Sequence, residues 1–197
     1  MGKGKRRPGV GSVSLLVILA LRPPGEVMAQ AGSCYFRGTP EALAERPSPL
    51  DSVVIELGGD RALLCYGRPS ARGRSIVGDQ DPYGAPWRLG ANEPTTLHLP
   101  FPASIGGVAV GSGSYSLYAI PEASSWTIVV NGNTTRWGIP IDVDVRASDV
   151  GSFTVPVGRL DRHVETLEFV FEARDSHRGD LVYRWENTTF RIPIERR

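Results

Sequence analysis

The residues best suited to chemistry lie between Tyr66 and Leu97. Arg68, Arg72, Arg74 and Arg88 carry planar, permanently charged forks that take a carboxylate or phosphate two oxygens at a time. Tyr66, Tyr83 and Trp87 offer an apolar wall beside them, and Asn92 and Glu93 add an amide and an ionisable group. This pattern fits an anion or sugar site with Arg68, Arg72, Tyr83, Trp87, Arg88, Asn92 and Glu93 as its contacts. If the site is catalytic, Glu93 is the candidate, because a carboxylate beside an apolar ring has a raised pKa and serves as general acid or base. Asp79 or Asp81 would be its partner. The same residues also have a purely structural use: Arg88 pairs with Glu93 or Asp79, the Asn92 amide ties off loop carbonyls, and Trp87 plugs one end of the fold.

Other chemistries leave no trace in the chain. It has no Gly-x-Ser-x-Gly elbow, His-Glu-x-x-His pair, phosphate loop or dinucleotide fingerprint. His98, His163 and His177 are far apart and fit surface positions, so no metal site and no cofactor are expected. Asn-Thr-Thr triplets at Asn133 and Asn187 match the glycosylation pattern, which has meaning only in a eukaryotic secretory route.

The 66–97 stretch is too rich in Gly, Pro and Arg for a core strand and reads as a long connection held by a rigid scaffold. The scaffold shows a two-residue period. Val53, Ile55 and Leu57 share a face, Gly58-Gly59-Asp60 turns the chain, and Ala62, Leu64 and Tyr66 return, which predicts a hairpin. Further alternating runs contain Leu97 and Leu99, Tyr115 and Leu117, Trp126 and Ile128, Ile141 with Val143 and Val145, and Phe153 and Val155. Leu167, Phe169 and Phe171 follow, then Leu181, Tyr183 and Trp185, and last Phe190, Ile192 and Ile194. Nine or ten short strands imply an all-β fold, an antiparallel β-sandwich, jelly-roll-like, with little helix. Thr39-Pro40-Glu41 suits the start of one short helix.

Residues 1–31 read as an export signal, with Lys3, Lys5, Arg6 and Arg7 before an apolar run from Val13 to Leu21 and a small-residue cleavage site at Ala29-Gln30-Ala31. The run is too short to span a bilayer. Residues 32–50 then form a linker with the possible short helix, and 51–197 a single β-sandwich domain. Without residues 1–31 the chain has 17 basic and 20 acidic residues, a net charge of −3. That balance disfavours nucleic acid as a partner. The address is extracytoplasmic, periplasmic or secreted, with no membrane span. Cys34 and Cys65 can pair there, stabilising the fold by roughly 3–4 kcal/mol. Alternatively Ala31-Gly32-Ser33-Cys34 is a lipid-attachment box, disfavoured because the usual leucine three places before the cysteine is missing, or Cys65 is a buried small apolar residue.

From Arg46 to its end the chain resembles the bacterial domain of unknown function 2911 family. The resemblance rests on Tyr66-Gly67-Arg68-Pro69-Ser70 with Arg72-Gly73-Arg74, on Pro82-Tyr83-Gly84 with Trp87 to Glu93, on Gly113 to Leu117, and on Trp126 to Asn131. It implies an exported, β-rich bacterial protein and brings no established activity. The chain departs from the usual pattern at Asp79-Gln80-Asp81, which is more acidic, and at Gly67, where serine is common. The reading of function is a non-catalytic extracytoplasmic binding or interaction module with an anion or sugar site in loop 66–97. The alternative is a hydrolase or lyase acting on a sugar or acidic envelope component, with Arg88 holding the substrate anion.

Overall fold

The computed structural model describes residues 1–2 and 34–197. The basic start, apolar run and cleavage site of the expected export signal lie outside the described residues. Among the described residues ten strands form two antiparallel sheets that pack face to face, an all-β sandwich. The six-stranded sheet has the order β1-β2-β3-β6-β7-β8: β1 is Leu50–Leu57, β2 Asp60–Gly67, β3 Thr95–Leu99, β6 Gly113–Pro121, β7 Ser125–Asn131 and β8 Asp149–Pro156. The four-stranded sheet has the order β5-β4-β10-β9, with β4 Ala103–Ile105, β5 Val108–Val110, β9 Gly158–Ala173 and β10 Arg178–Arg196. Among the described residues no helix is long and apolar enough to cross a membrane.

Local chemistry accounts for the elements. The β1–β2 hairpin turns on Gly58 and Gly59, at φ 61° and 84°, values that glycine adopts without steric cost. Leu97 and Leu99 face the core, so Thr96 and His98 face outward on the six-stranded sheet. Helix α1, Pro40–Ala44, starts at Thr39, whose hydroxyl accepts from Ala42 N at 3.3 Å. The Cys34 and Cys65 sulfurs form a disulfide between the N-terminal segment and β2, which leaves Cys34 no thiol for lipid attachment.

Two expectations need correction. The run from Ile141 to Arg146 is not a strand. Val143–Arg146 forms the helical turn α2, because the Asp142 carboxylate caps it, accepting from Val145 N at 3.1 Å. Only Val145 of that run is buried, whereas Val143 is 78% exposed. The runs ending in Trp185 and Ile194 are also one strand, β10, not two. Its register against β9 shifts on either side of Glu186, which sits at φ 52°.

The core is aromatic at one end. Trp87 stacks on Trp185 at 5.8 Å between ring centroids and stands edge-on to Trp126 and Tyr183. Phe190 stacks on Tyr183 at 4.4 Å. Trp126, Ile128, Leu167, Phe169, Tyr183, Trp185 and Phe190 are buried, and Phe171 is partly so. Truncating Trp185 to alanine opens a cavity here, and denaturant unfolding should show a loss of about 3–5 kcal/mol. Arg184→Ala removes only half-exposed pairs with Glu168 and Glu172 and should cost about 1 kcal/mol or less.

Candidate functional site

The connection from Gly67 to Thr95 closes one end of the sandwich, and most of its polar groups bond to backbone. Arg68 Nε donates to Leu167 O at 3.1 Å, and its Nη1 pairs with Asp51 at 3.3 Å. Arg72 donates through Nη2 to Pro47 O, and its backbone N meets the Glu165 carboxylate at 2.6 Å. Arg74 holds the carbonyls of Ala71 and Ser70. Arg88 Nε donates to Gly90 O at 3.1 Å. Trp87 exchanges two 2.7 Å backbone bonds with Ala119 and is only 8% exposed, so it lies in the core and not on an open wall. Tyr83 is half exposed and lies over Gly78, where a Cβ would meet its ring at 2.8 Å.

Glu93 is buried, but its partner is not Arg88. Arg46 grips the carboxylate with both Nη atoms, at 2.7 and 3.0 Å, and Arg37 N donates to it at 2.9 Å. Burial raises its pKa, but the Arg46 and Arg37 hydrogen bonds outweigh that and hold it below the ordinary glutamate value. This is the reverse of the raised value expected beside an apolar ring. The Glu93 clamp ties the N-terminal segment to the loop.

Behind that clamp an open cleft of about 150 Å³ lies on the outer face of the six-stranded sheet. Its floor includes Cys65, Thr96 and His98. Tyr35–Arg37 form one wall, Thr134–Arg136 the other, and Glu93 and Pro94 one end. The Arg37 guanidinium reaches Thr135 O, joining the two walls. His98 Nδ1 and Ser114 Oγ are 2.7 Å apart, and burial lowers the imidazole pKa, so His98 is neutral at pH 7.

Arg136 stands apart from the other arginines. Its Nη1 donates to Trp137 O at 3.0 Å and to Gly138 O at 2.7 Å. Its Nε and Nη2 are buried and have no hydrogen-bond partner among the described residues. Gly138 N in turn donates to Asn92 O at 2.8 Å, and the Asn92 amide nitrogen is likewise buried without a partner. Burial weakens the hold of Arg136 on its proton, while Tyr118, Asp142 and Asp149 act in the opposite direction. Asp149 is committed to Tyr118 and Asn131, and Asp142 to Val145 N.

Of the seven expected contacts, the structure brings Glu93 to the lining of the cleft, while Asn92, next to it in the chain, accepts from Gly138 N. Arg68 and Arg72 bond toward β9 and the 47–51 segment, and Trp87 points into the core. Sequence reading gave Arg37, Arg46 and Arg136 no part in a site, placed His98 at the surface, and took Asn133-Thr134-Thr135 only as a glycosylation pattern. A compositional signal was present in Thr134-Thr135-Arg136-Trp137-Gly138, which shares the Arg, Trp and Gly content of the 66–97 connection.

Two carboxyl groups give opposite pH behaviour. The depressed Glu93 contributes stability above the ordinary carboxylate range, and this is lost as pH falls through its folded pKa. Glu93→Ala at pH 7 should approach the roughly 3 kcal/mol cost of breaking a buried pair. Asp81 is pushed from 3.8 up to about 6, chiefly by burial; Arg88 and Arg74 counteract this and Glu186 adds to it. The folded state therefore holds the extra proton, and stability falls as pH rises from 3.8 to about 6. Asp81→Asn should gain about 1–2 kcal/mol at pH 7, after allowing for solvent screening, and nothing near pH 3. Melting curves across this range check both variants.

Neither a curated protein nor a solved structure matches the chain. Residues 48–194 match the family described as "Protein of unknown function (DUF2911)", a span from just before β1 to near the end of β10. The arginine-rich connection, the paired sheets and the 134–136 wall of the cleft all fall within that span, and the chain belongs to the DUF2911 family.

Proposed function

We propose that the protein is a non-catalytic, extracytoplasmic binding module that takes a small anionic or carbohydrate ligand in the cleft between Tyr35–Arg37 and Thr134–Arg136. The observation that carries this reading is the cleft itself, which has Arg37 and Arg136 among its lining residues together with Thr96 and His98. The cleft is comparable to a cavity that holds benzene, at about 150 Å³, so a single sugar ring or an acid of that size fits. The disulfide supports an extracytoplasmic address. The commitment of Glu93 to Arg46 and Arg37 favours binding over acid–base work by that residue.

One observation favours a second reading as a hydrolase or lyase. The Asp81 carboxyl, at about 6, is tuned to exchange protons near neutral pH and has the Arg88 charge nearby. Loss of turnover in a still-folded Asp81→Asn variant would support it.

The binding reading is tested by a thermal-shift screen of neutral sugars, uronic acids and phosphates on the wild type and on Thr134→Trp, which fills the cleft. A ligand at a hundred times its Kd should stabilise the wild type by about 2.7 kcal/mol, a rise of roughly 5–10 °C for a domain of this size. The filled variant should not respond. A ligand that raises both melting temperatures equally would sink this placement of the site.

A further inference from the structure

We propose that oxidation assembles the cleft: the Cys34–Cys65 bond docks residues 35–37 as its wall, and the reduced protein lacks that wall and with it the capacity to bind; the consequence for binding rests on the reading above. The place of the disulfide in the fold carries the proposal. Cys65 belongs to β2, which is already paired with β1 along its length and with β3 at Leu63, Leu64 and Cys65. The covalent bond therefore joins no two strands, and what it ties down is the segment ahead of β1. Tyr35, Phe36 and Arg37 follow Cys34 directly and form the wall. Tyr35 and Arg37 are exposed, and helix α1 beyond them buries none of its residues, so little apolar contact holds the segment in place.

The other fasteners of the wall converge on Arg37. Its backbone N donates to Glu93, its carbonyl accepts from Arg46 Nη2, and its own Nη2 donates to Thr135 O. Water satisfies the same groups once the wall lifts, so these bonds are worth little without the covalent tie beside them. Arg46 grips Glu93 from the far side of α1, which leaves the carboxylate its counter-charge while residues 34–37 swing away. Cys34 is partly exposed and Cys65 is buried, so Cys34 is the sulfur that an external thiol reaches first. A disulfide-bearing oxidant takes two electrons and two protons from the cysteine pair and leaves as a dithiol, and a dithiol reductant reverses the exchange. A reducing cytoplasm keeps the pair as thiols, so the cleft is completed only after export.

The test compares the oxidised protein, the same protein in dithiothreitol, and Cys34→Ala. Two readouts need no ligand: hydrogen exchange of the Arg37 amide, and tryptic cleavage after Arg37, whose guanidinium is held by Thr135 O while the wall is docked. Both are expected to be at least about ten-fold faster in the reduced protein and in Cys34→Ala, with the amides of β3 and β6 as slow as before. Glucose and glucuronate, titrated by calorimetry, should bind the reduced protein at least about ten-fold more weakly than the oxidised one. An Arg37 amide that stays protected after reduction overturns the proposal, since the Glu93 clamp then docks the wall unaided. Loss of protection in β3 and β6 also overturns it, because the disulfide is then a staple of the whole sandwich. If the wall lifts and sugar affinity does not change, the link to binding falls while the binding module stands. If neither sugar binds the oxidised protein, the binding reading fails, and a wall that lifts on reduction still supports assembly by oxidation. The dithiothreitol arm uses the native sequence, so a Cys34→Ala chain that fails to fold does not block the result.

Discussion

Strand β10 must turn Leu181, Tyr183 and Trp185 into the core and then do the same with Phe190, Ile192 and Ile194. Phe190 lies five positions after Trp185, an odd offset, so an unbroken two-residue period would send the second set into solvent. The break falls at Glu186, held in the left-handed region at a cost of about 1–3 kcal/mol, which burial of the flanking aromatic groups offsets. The Glu186 carboxylate accepts from Ile76 N and Val77 N, both at 3.1 Å. The strand irregularity thereby anchors the loop that carries Trp87 back over Trp126, Tyr183 and Trp185. The closed end of the sandwich depends on this one reversal of facing.

That closure explains the arginine-rich connection. Irregular backbone has no ladder partners, so its carbonyls need other donors. Arg68, Arg72, Arg74 and Arg88 supply them, and long guanidinium groups can satisfy carbonyls that lie several ångströms from any other donor. Arg136 does the same with one nitrogen, and its Nε and Nη2 have no partner among the described residues.

The N-terminal segment makes the cleft possible. Through the disulfide, the Glu93 clamp and the Arg37 contact with Thr135, residues outside the two sheets become a wall of the site. Burial of Glu93 is tolerable because Arg46 and a backbone amide share its charge, so the same group that closes the loop also positions the segment opposite Arg136.

Period-two alternation was enough to identify the sandwich, the β1–β2 hairpin and the aromatic residues of the core, because facing in a strand is a local property of the pleat. It misread Ile141–Arg146, where alternation coincided with a capping aspartate, and it could not join the two halves of β10, since the bulge that joins them has no sequence signature of its own. The importance of the Tyr66–Leu97 connection was legible from its composition, but the identity of the partners was not. Glu93 meets Arg46 across 47 positions, and Asn92 meets Gly138 across a different loop. Residue types and periodicity therefore determined the class of fold and the chemistry available to it. Which carbonyls each arginine satisfies was decided by tertiary structure, because hydrogen-bond satisfaction depends on groups brought together only when the two sheets close.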